Sequence, residues 1–306
     1  MGRERVGVLF CLISAAAFSS ATILGRIALE DGVSVVTLLA LRYGGAAPLF
    51  WGLVALGRQP LPRPDAALPV IGIGAVVVSL QALLIYMALE RLDAGLVTLL
   101  LYTFPAMVAV AAVAIGRERP SWRKAGAVLV ATTGIVLVLL GDVQLRADTV
   151  GVVLAIASAF LAALWVLLSD RVVRQMPALV VSALIATGAA LSVGGVGLAT
   201  GSLVLGFGAA GWGALLGTIL ISTVIAISTS MAGVARVGPT VASILLTAEV
   251  PLAVTWAILL LGERLHAVQV VGAILVVAAV LLLQAGAIRW PGWASARFAW
   301  ALRGGR

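Results

Sequence analysis

The chain has 306 residues, of which 62% are hydrophobic and only 10% charged, with a mean hydropathy of +1.19. A soluble domain is roughly half apolar and about a quarter charged, so a cytosolic enzyme and a disordered chain are both excluded, and the surplus apolar surface must face lipid. One cysteine, Cys11, gives no disulfide framework, and one histidine, His266, gives no His-based zinc site or histidine-containing triad.

A helix rising about 1.5 Å per residue needs roughly 20 apolar residues to cross about 30 Å of hydrocarbon. That rule predicts ten spans. The first, 6–25, carries an apolar run too long for a signal peptide and ends in no small-residue cleavage site. Val6 stands where a myristoylation motif beginning at Gly2 requires Ser or Thr. Spans follow at 34–56, 68–89, 94–115 and 123–141, divided by charged breaks such as Glu30-Asp31-Gly32, Arg58 to Asp65, and Arg117 to Lys124. The second five are 150–168, 179–200, 211–233, 240–261 and 267–288.

Gly201 to Gly213 contains no charge. Its Gly206-Phe207-Gly208-Ala209-Ala210-Gly211 matches the dinucleotide fingerprint by letter, but it has no preceding strand and no acidic residue about twenty positions on, so it reads as a flexible outer loop. Gly213 and Gly217 form a GxxxG that predicts a close helix contact. His266, beside Glu263 and Arg264, reads as an interfacial residue rather than a proton relay. The tail from Arg289 mixes Trp290, Trp293, Phe298 and Trp300 with arginines, as segments resting at the headgroup level do.

Cytoplasmic segments are enriched in Lys and Arg. With the N-terminus inside, the inner segments hold fifteen basic residues: Arg3, Arg5, Arg58, Arg63, Arg117, Arg119, Arg123, Lys124, Arg171, Arg174, Arg236, Arg289, Arg297, Arg303 and Arg306. The outer loops hold Arg26, Arg91, Arg146 and Arg264, and Arg42 lies within a span. This asymmetry predicts that both termini are cytoplasmic, and it accounts for the net charge of +8 without nucleic acid.

The second half echoes the first at an offset of about 145 residues. Val6, Gly7, Val8, Ser14 and Ala15 match Val150, Gly151, Val152, Ser158 and Ala159. Pro105 matches Pro251, Glu118-Arg119 matches Glu263-Arg264, and Gly126 matches Gly272. Five spans per half is an odd number, so the second copy is expected upside down relative to the first. That is a transporter architecture, with the site near the midplane between the halves. The predicted organisation is a first repeat at 1–141, an outer linker at 142–149, a second, inverted repeat at 150–288, and a basic aromatic tail at 289–306. The fold class is all-α integral membrane, ten transmembrane helices as an inverted five-plus-five repeat.

These features together resemble the EamA family of the drug/metabolite transporter superfamily. They are the ten spans, Gly262-Glu263-Arg264 after the ninth, Gly116-Arg117-Glu118-Arg119 after the fourth, Leu41-Arg42-Tyr43 in the second, and Ala248-Glu249-Val250-Pro251 in the ninth. The resemblance covers nearly all of the chain except the tail. It implies a bacterial inner-membrane exporter, in character nearest to exporters of aromatic and other apolar amino acids, and it places the second span outside the central helices.

Glu249 is the acidic residue well inside a span, on the order of 13 Å from the inner edge. A carboxylate there must be protonated, paired or facing a water-filled cavity. It reads as a proton-coupling group or a ligand for a substrate amine; the alternative is a helix-packing carboxyl bonded to Ser or Thr hydroxyls or to backbone freed by Pro251. Arg42 lies near the midplane too, where it either binds a substrate carboxylate or pairs with Glu249 as a buried lock; its counterpart in the other half is near Thr187. Thr98, Tyr102 and Pro105 recur as Ser243, Thr247 and Pro251, three or four residues apart and so on one helix face. Each proline removes the hydrogen bond to the residue four back, freeing the carbonyls of Leu101 and Thr247, and kinks at matching places suit a site that gates. Gln81, Tyr86 and Trp165 complete the candidate set, the aromatic faces stacking on a substrate ring while Gln81 orients a carboxylate or amine. For all of these the alternative is ordinary packing between helices.

The leading expectation is therefore an alternating-access exporter of small amphiphilic metabolites, most of all aromatic or other apolar amino acids. Export of other metabolites or drugs with proton coupling is the alternative. A membrane enzyme would need clustered catalytic groups, and Asp31, Asp93, Asp142 and Asp148 are scattered over outer loops. A scaffold would need large loops, and a channel differs from a carrier only in its kinetics. The expected partners are a small-molecule substrate and the lipid bilayer, with no cofactor, no metal, no nucleic acid and no obligate protein partner.

Overall fold

A computed structural model describes residues 3–114, 122–140, 148–173, 176–237, 242, 245–263 and 266–284. Among the described residues the chain is built from helices, without a strand: α1 (Arg3–Glu30), α2 (Val35–Leu56), α3 (Pro64–Leu89), α4 (Ala94–Leu101), α5 (Phe104–Ala114), α6 (Trp122–Leu140), α7 (Thr149–Val173), α8 (Ala178–Ala199), α9 (Ala209–Val237), α10 (Glu249–Leu261) and α11 (Ala267–Gln284). Six of them, α1 to α3 and α7 to α9, are long and apolar enough to cross a membrane, and the other apolar helices are shorter. Large apolar side chains such as Leu191, Leu198 and Leu259 stand exposed on the outside, as a lipid-facing surface requires.

Two predicted spans are interrupted. The span expected at 94–115 breaks at Tyr102-Thr103, and α10 begins at Glu249 after a turn at Thr247-Ala248. Pro105 and Pro251 fall within the first turn of α5 and α10, where a helix has no use for the missing N–H. A two-residue break in the helical run thus lies just before each proline. The Thr247 carbonyl is not left free, because the Val250 amide donates to it at 3.2 Å.

Both α3 and α9 contain a π-helical segment, Gly74–Val78 and Leu220–Ile225. At each, a hydroxyl reaches the carbonyl five residues back: Ser79 Oγ donates to Gly74 O at 2.9 Å, and Thr223 Oγ1 to Thr218 O at 2.8 Å. Ser79 and Thr223 stand at equivalent places in the two halves. So do Ser14 and Ser158, whose hydroxyls donate to the carbonyls of Ala226 at 2.7 Å and Gln81 at 3.0 Å in the opposite half.

The packing follows the same exchange. α1 lies against α9 and α7 against α3, while α2 pairs with α8, α4 with α10, and α6 with α11. Swapping the halves maps this set of pairs onto itself. Glycines let backbones meet at these crossings, where dispersion and close contact replace the hydrophobic effect. A Cβ on Gly74 would strike Ile185 O, one on Gly188 would strike Ile71 O, and one on Gly134 would lie 2.7 Å from Gly272 O. The predicted GxxxG behaves differently, since Gly217 faces Leu24 but Gly213 has nothing within 4 Å.

At one end of the bundle, described residues in or beside five connections bond to one another. Asp31 Oδ2 accepts from the Gly211 amide at 2.7 Å, and Arg26 Nη1 donates to Leu89 O at 2.8 Å. Thr37 Oγ1 donates to Ser202 O at 3.4 Å, Arg91 pairs with Asp148 at 2.8 Å, and Glu263 Oε1 accepts from the Ala94 amide at 2.7 Å. Ala209 to Gly211, expected in a flexible loop, instead form the first turn of α9, where the Asp31 carboxylate meets the positive end of the helix.

Candidate functional site

Between the halves lies a hollow of two adjoining chambers. The first, about 320 Å³, is walled by α1, α2, α3, α4 and α10, toward the end where the five connections gather. The second, about 420 Å³, is walled mainly by α2, α3, α7, α8 and α9. Phe18, Arg42, Tyr43, Gln81, Leu101 and Phe104 border both and form the neck. Each volume falls within the range of small-molecule sites.

Among the described residues Arg42 and Glu249 are the charged ones lining it, and they do not form the lock considered from sequence. Among the described residues the ion pairs are Arg26–Glu30 and Arg91–Asp148. Arg42 Nε donates to Thr223 Oγ1 and Nη1 to the Tyr86 hydroxyl, both at 2.9 Å. Its guanidinium carbon lies 5.6 Å from the Tyr43 ring centre and 5.9 Å from that of Tyr86, within cation–π range. Glu249 Oε2 instead accepts from the Tyr102 hydroxyl at 2.6 Å. Position 42 on α2 therefore borders the central hollow, which departs from the peripheral second span that the resemblance implied.

Of the other candidates, Gln81, Tyr86, Thr98 and Tyr102 line the first chamber and Trp165 the second. Gln81 Nε2 donates to Ser158 Oγ at 3.1 Å, which couples α3 to α7 at the neck. Thr98 Oγ1 donates to Ala94 O at 2.9 Å and lies 3.3 Å from Thr22 Oγ1. Thr247 is buried at the turn before α10 and does not border the hollow. Pro105 and Pro251 do not border it either; they start the helices that carry Phe104 and Glu249 to it. Ser243 lies outside the described residues.

Sequence reasoning missed the contribution of α1, whose Phe18, Ser19 and Thr22 line the first chamber. It also missed Tyr43 and Thr223, which hold Arg42. The available signal on α1 was Ser19, Ser20 and Thr22 interrupting an apolar run. Ser19 is further fixed by Trp256 Nε1, which donates to its hydroxyl at 3.1 Å.

At the rim, Glu263 bonds the first amides of α4, Ala94 at 2.7 Å and Gly95 at 3.0 Å, and so joins the two halves. Burial pushes its carboxyl above the usual glutamate value, against the pull of these two amides. Asp148 caps α7 through the Val150 amide at 2.9 Å. The Arg91 hydrogen bond, aided by the Gly151 and Val150 amides, holds the Asp148 carboxyl below its usual value.

An apolar helical bundle around a sparsely charged hollow, built from two exchanging halves, defines a multi-pass membrane transporter. The model of the EamA-like transporter family matches residues 5–140 and 149–284, and the chain belongs to that family. It is 28% identical over 276 residues to the uncharacterized transporter YcbK of Bacillus subtilis (strain 168), spanning 87% of this chain and 88% of that one. A crystal structure 18% identical in sequence superposes with a TM-score of 0.66, covering 92% of this chain and 99% of the other, and so shares the fold.

Proposed function

We propose that the protein is an alternating-access exporter in the bacterial inner membrane, with ten spans, two inverted repeats and both termini cytoplasmic. Its cargo is small amphiphilic metabolites, most of all aromatic or other apolar amino acids. The observation that carries this reading is the hollow itself, which is bordered by both halves, mostly apolar and aromatic, and charged at Arg42 and Glu249. A wall whose described residues include one cation and one anion has little with which to neutralise a sugar phosphate or a nucleotide sugar, whereas an apolar amino acid gains from burying its side chain.

Two further observations support the topology. Five connections gather at one end of the bundle, as ten alternating spans with both termini at the other end require. The exchange of helix pairs between halves is what two near-equal states of an inverted repeat need. The test is purified protein in liposomes with labelled amino acids, assayed for saturable uptake and counterflow with and without a pH gradient. Counterflow of phenylalanine or leucine is expected. Movement of sugar phosphates or nucleotide sugars alone would overturn the amino-acid reading, and flux without saturation or counterflow would replace the carrier by a pore.

A further inference from the structure

We infer that the hollow takes its cargo as a zwitterion, with the anionic end on Arg42 and the cationic end on Glu249. The inference rests on reading the hollow as the transport site, and it assigns which ionic groups the cargo must carry and where each one binds.

Two side chains of opposite charge type, Arg42 and Glu249, share a chamber without joining. A guanidinium is permanently charged. Among the described residues the partners of Arg42 are neutral: the Thr223 and Tyr86 hydroxyls and the faces of Tyr43 and Tyr86. Among the described residues its second terminal nitrogen, Nη2, makes no hydrogen bond. Glu249 accepts from one phenol through Oε2, and its Oε1 has no hydrogen-bond donor among the described residues. The Tyr102 hydroxyl donates its proton to Oε2 across 2.6 Å, which leaves Oε1 as the acceptor that a ligand donor can reach.

Charges inside a membrane are costly unless they pair with one another or face a polar cavity. Here neutral side chains anchor each residue separately, which leaves one unbonded edge on each, Nη2 and Oε1, and both residues line the same chamber of about 320 Å³. A ligand with one carboxylate and one ammonium satisfies both edges. A ligand with either group alone leaves the other charge unpaired, and a site built around polar groups rejects analogues that lack their partners far more strongly than it resolves a methylene. Placement orders the ligand as well. Arg42 borders both chambers and Glu249 only the first. The carboxylate therefore sits at the neck, the ammonium in the first chamber, and the apolar part beside Trp165, Phe50 and Met231 in the second.

The experiment compares phenylalanine with phenethylamine, which lacks the carboxylate, and 3-phenylpropionate, which lacks the amine. Each is tested as a competitor of phenylalanine counterflow in liposomes and as a thermal stabiliser of the detergent-purified protein. Wild-type protein is expected to prefer phenylalanine over either analogue by about tenfold or more. Arg42→Gln is expected to remove its preference over phenethylamine while keeping that over 3-phenylpropionate, and Glu249→Gln to do the reverse. Arg42→Lys and Glu249→Asp retain the charges and should keep part of each preference, which also controls for variants that fail to fold. Equal competition by either analogue in wild type, or loss of both preferences together in a single variant, overturns the inference while leaving export intact. If no amino acid moves or binds, yet the wild type is stabilised by a different zwitterion such as carnitine, the inference stands and the amino-acid reading falls.

Discussion

The Tyr102 hydroxyl donates to the Glu249 carboxylate across 2.6 Å, and this bond joins the two halves of the chain where each interrupts a span. Tyr102 ends α4 and Glu249 begins α10. The phenol can occupy that position because α4 stops there, and the carboxylate benefits from lying in the first turn of a helix.

Removing that donor tests the bond directly. Tyr102→Phe leaves the ring and takes away the hydroxyl, so Glu249 loses its one hydrogen-bond partner among the described residues. A lost hydrogen bond to a charged group costs about 1–3 kcal/mol. We expect a lower melting temperature in detergent and weaker apparent affinity in counterflow, whereas Tyr102→Leu should add a packing loss on top.

Glu263 predicts a pH-dependent stability. Because burial raises its pKa in the fold, its contribution is complete below the usual glutamate value and falls as pH rises through the raised value. Glu263→Gln, which keeps one acceptor and no charge, should flatten that part of the melting-temperature profile. Glu263→Ala should remove the cap of α4 at every pH, at a cost of about 1 kcal/mol.

Asp148 predicts the opposite slope. Its pKa is lowered, so its contribution is present above the usual aspartate value and is lost as pH falls through the lowered one. Its pair with Arg91 is exposed, so the effect should be small and should shrink further in high salt. Thermal melts of Asp148→Asn at low and high salt, across acid pH, check both points.

The crossing of α3 and α8 leaves no room for a side chain. Gly188→Ala places a methyl against Ile71 O, and Gly74→Ala places one against Ile185 O. Overpacking of this kind costs about 1–3 kcal/mol. Gly213→Ala, which meets nothing within 4 Å, should melt as the wild type does.

Much of the frame was legible in the sequence, because apolar run length and loop charge are local properties. The halves could be aligned from Ser14 with Ser158 and from Pro105 with Pro251, and Glu249 stood out through the cost of a carboxylate in hydrocarbon. The site was legible residue by residue but not in its pairings. Nothing local to Arg42 indicates that its partners are Thr223 and Tyr86 rather than Glu249, since those contacts depend on how α2 and α3 cross α9. Pro105 and Pro251 marked where the spans are weak, but not that each break takes the form of a two-residue turn, at Tyr102-Thr103 and Thr247-Ala248.

The wide turn in α9 has a consequence for the hollow beyond local geometry. Thr223 gives its proton to Thr218 O and thereby offers only lone pairs to the guanidinium of Arg42. Deleting one residue from Leu220–Ile225 would restore a regular helix and swing position 223 by about 100° around its axis. The arginine would then lose its anchor without any change to its own helix. A single surplus unit of main chain in one copy aims a fixed charge supplied by the other.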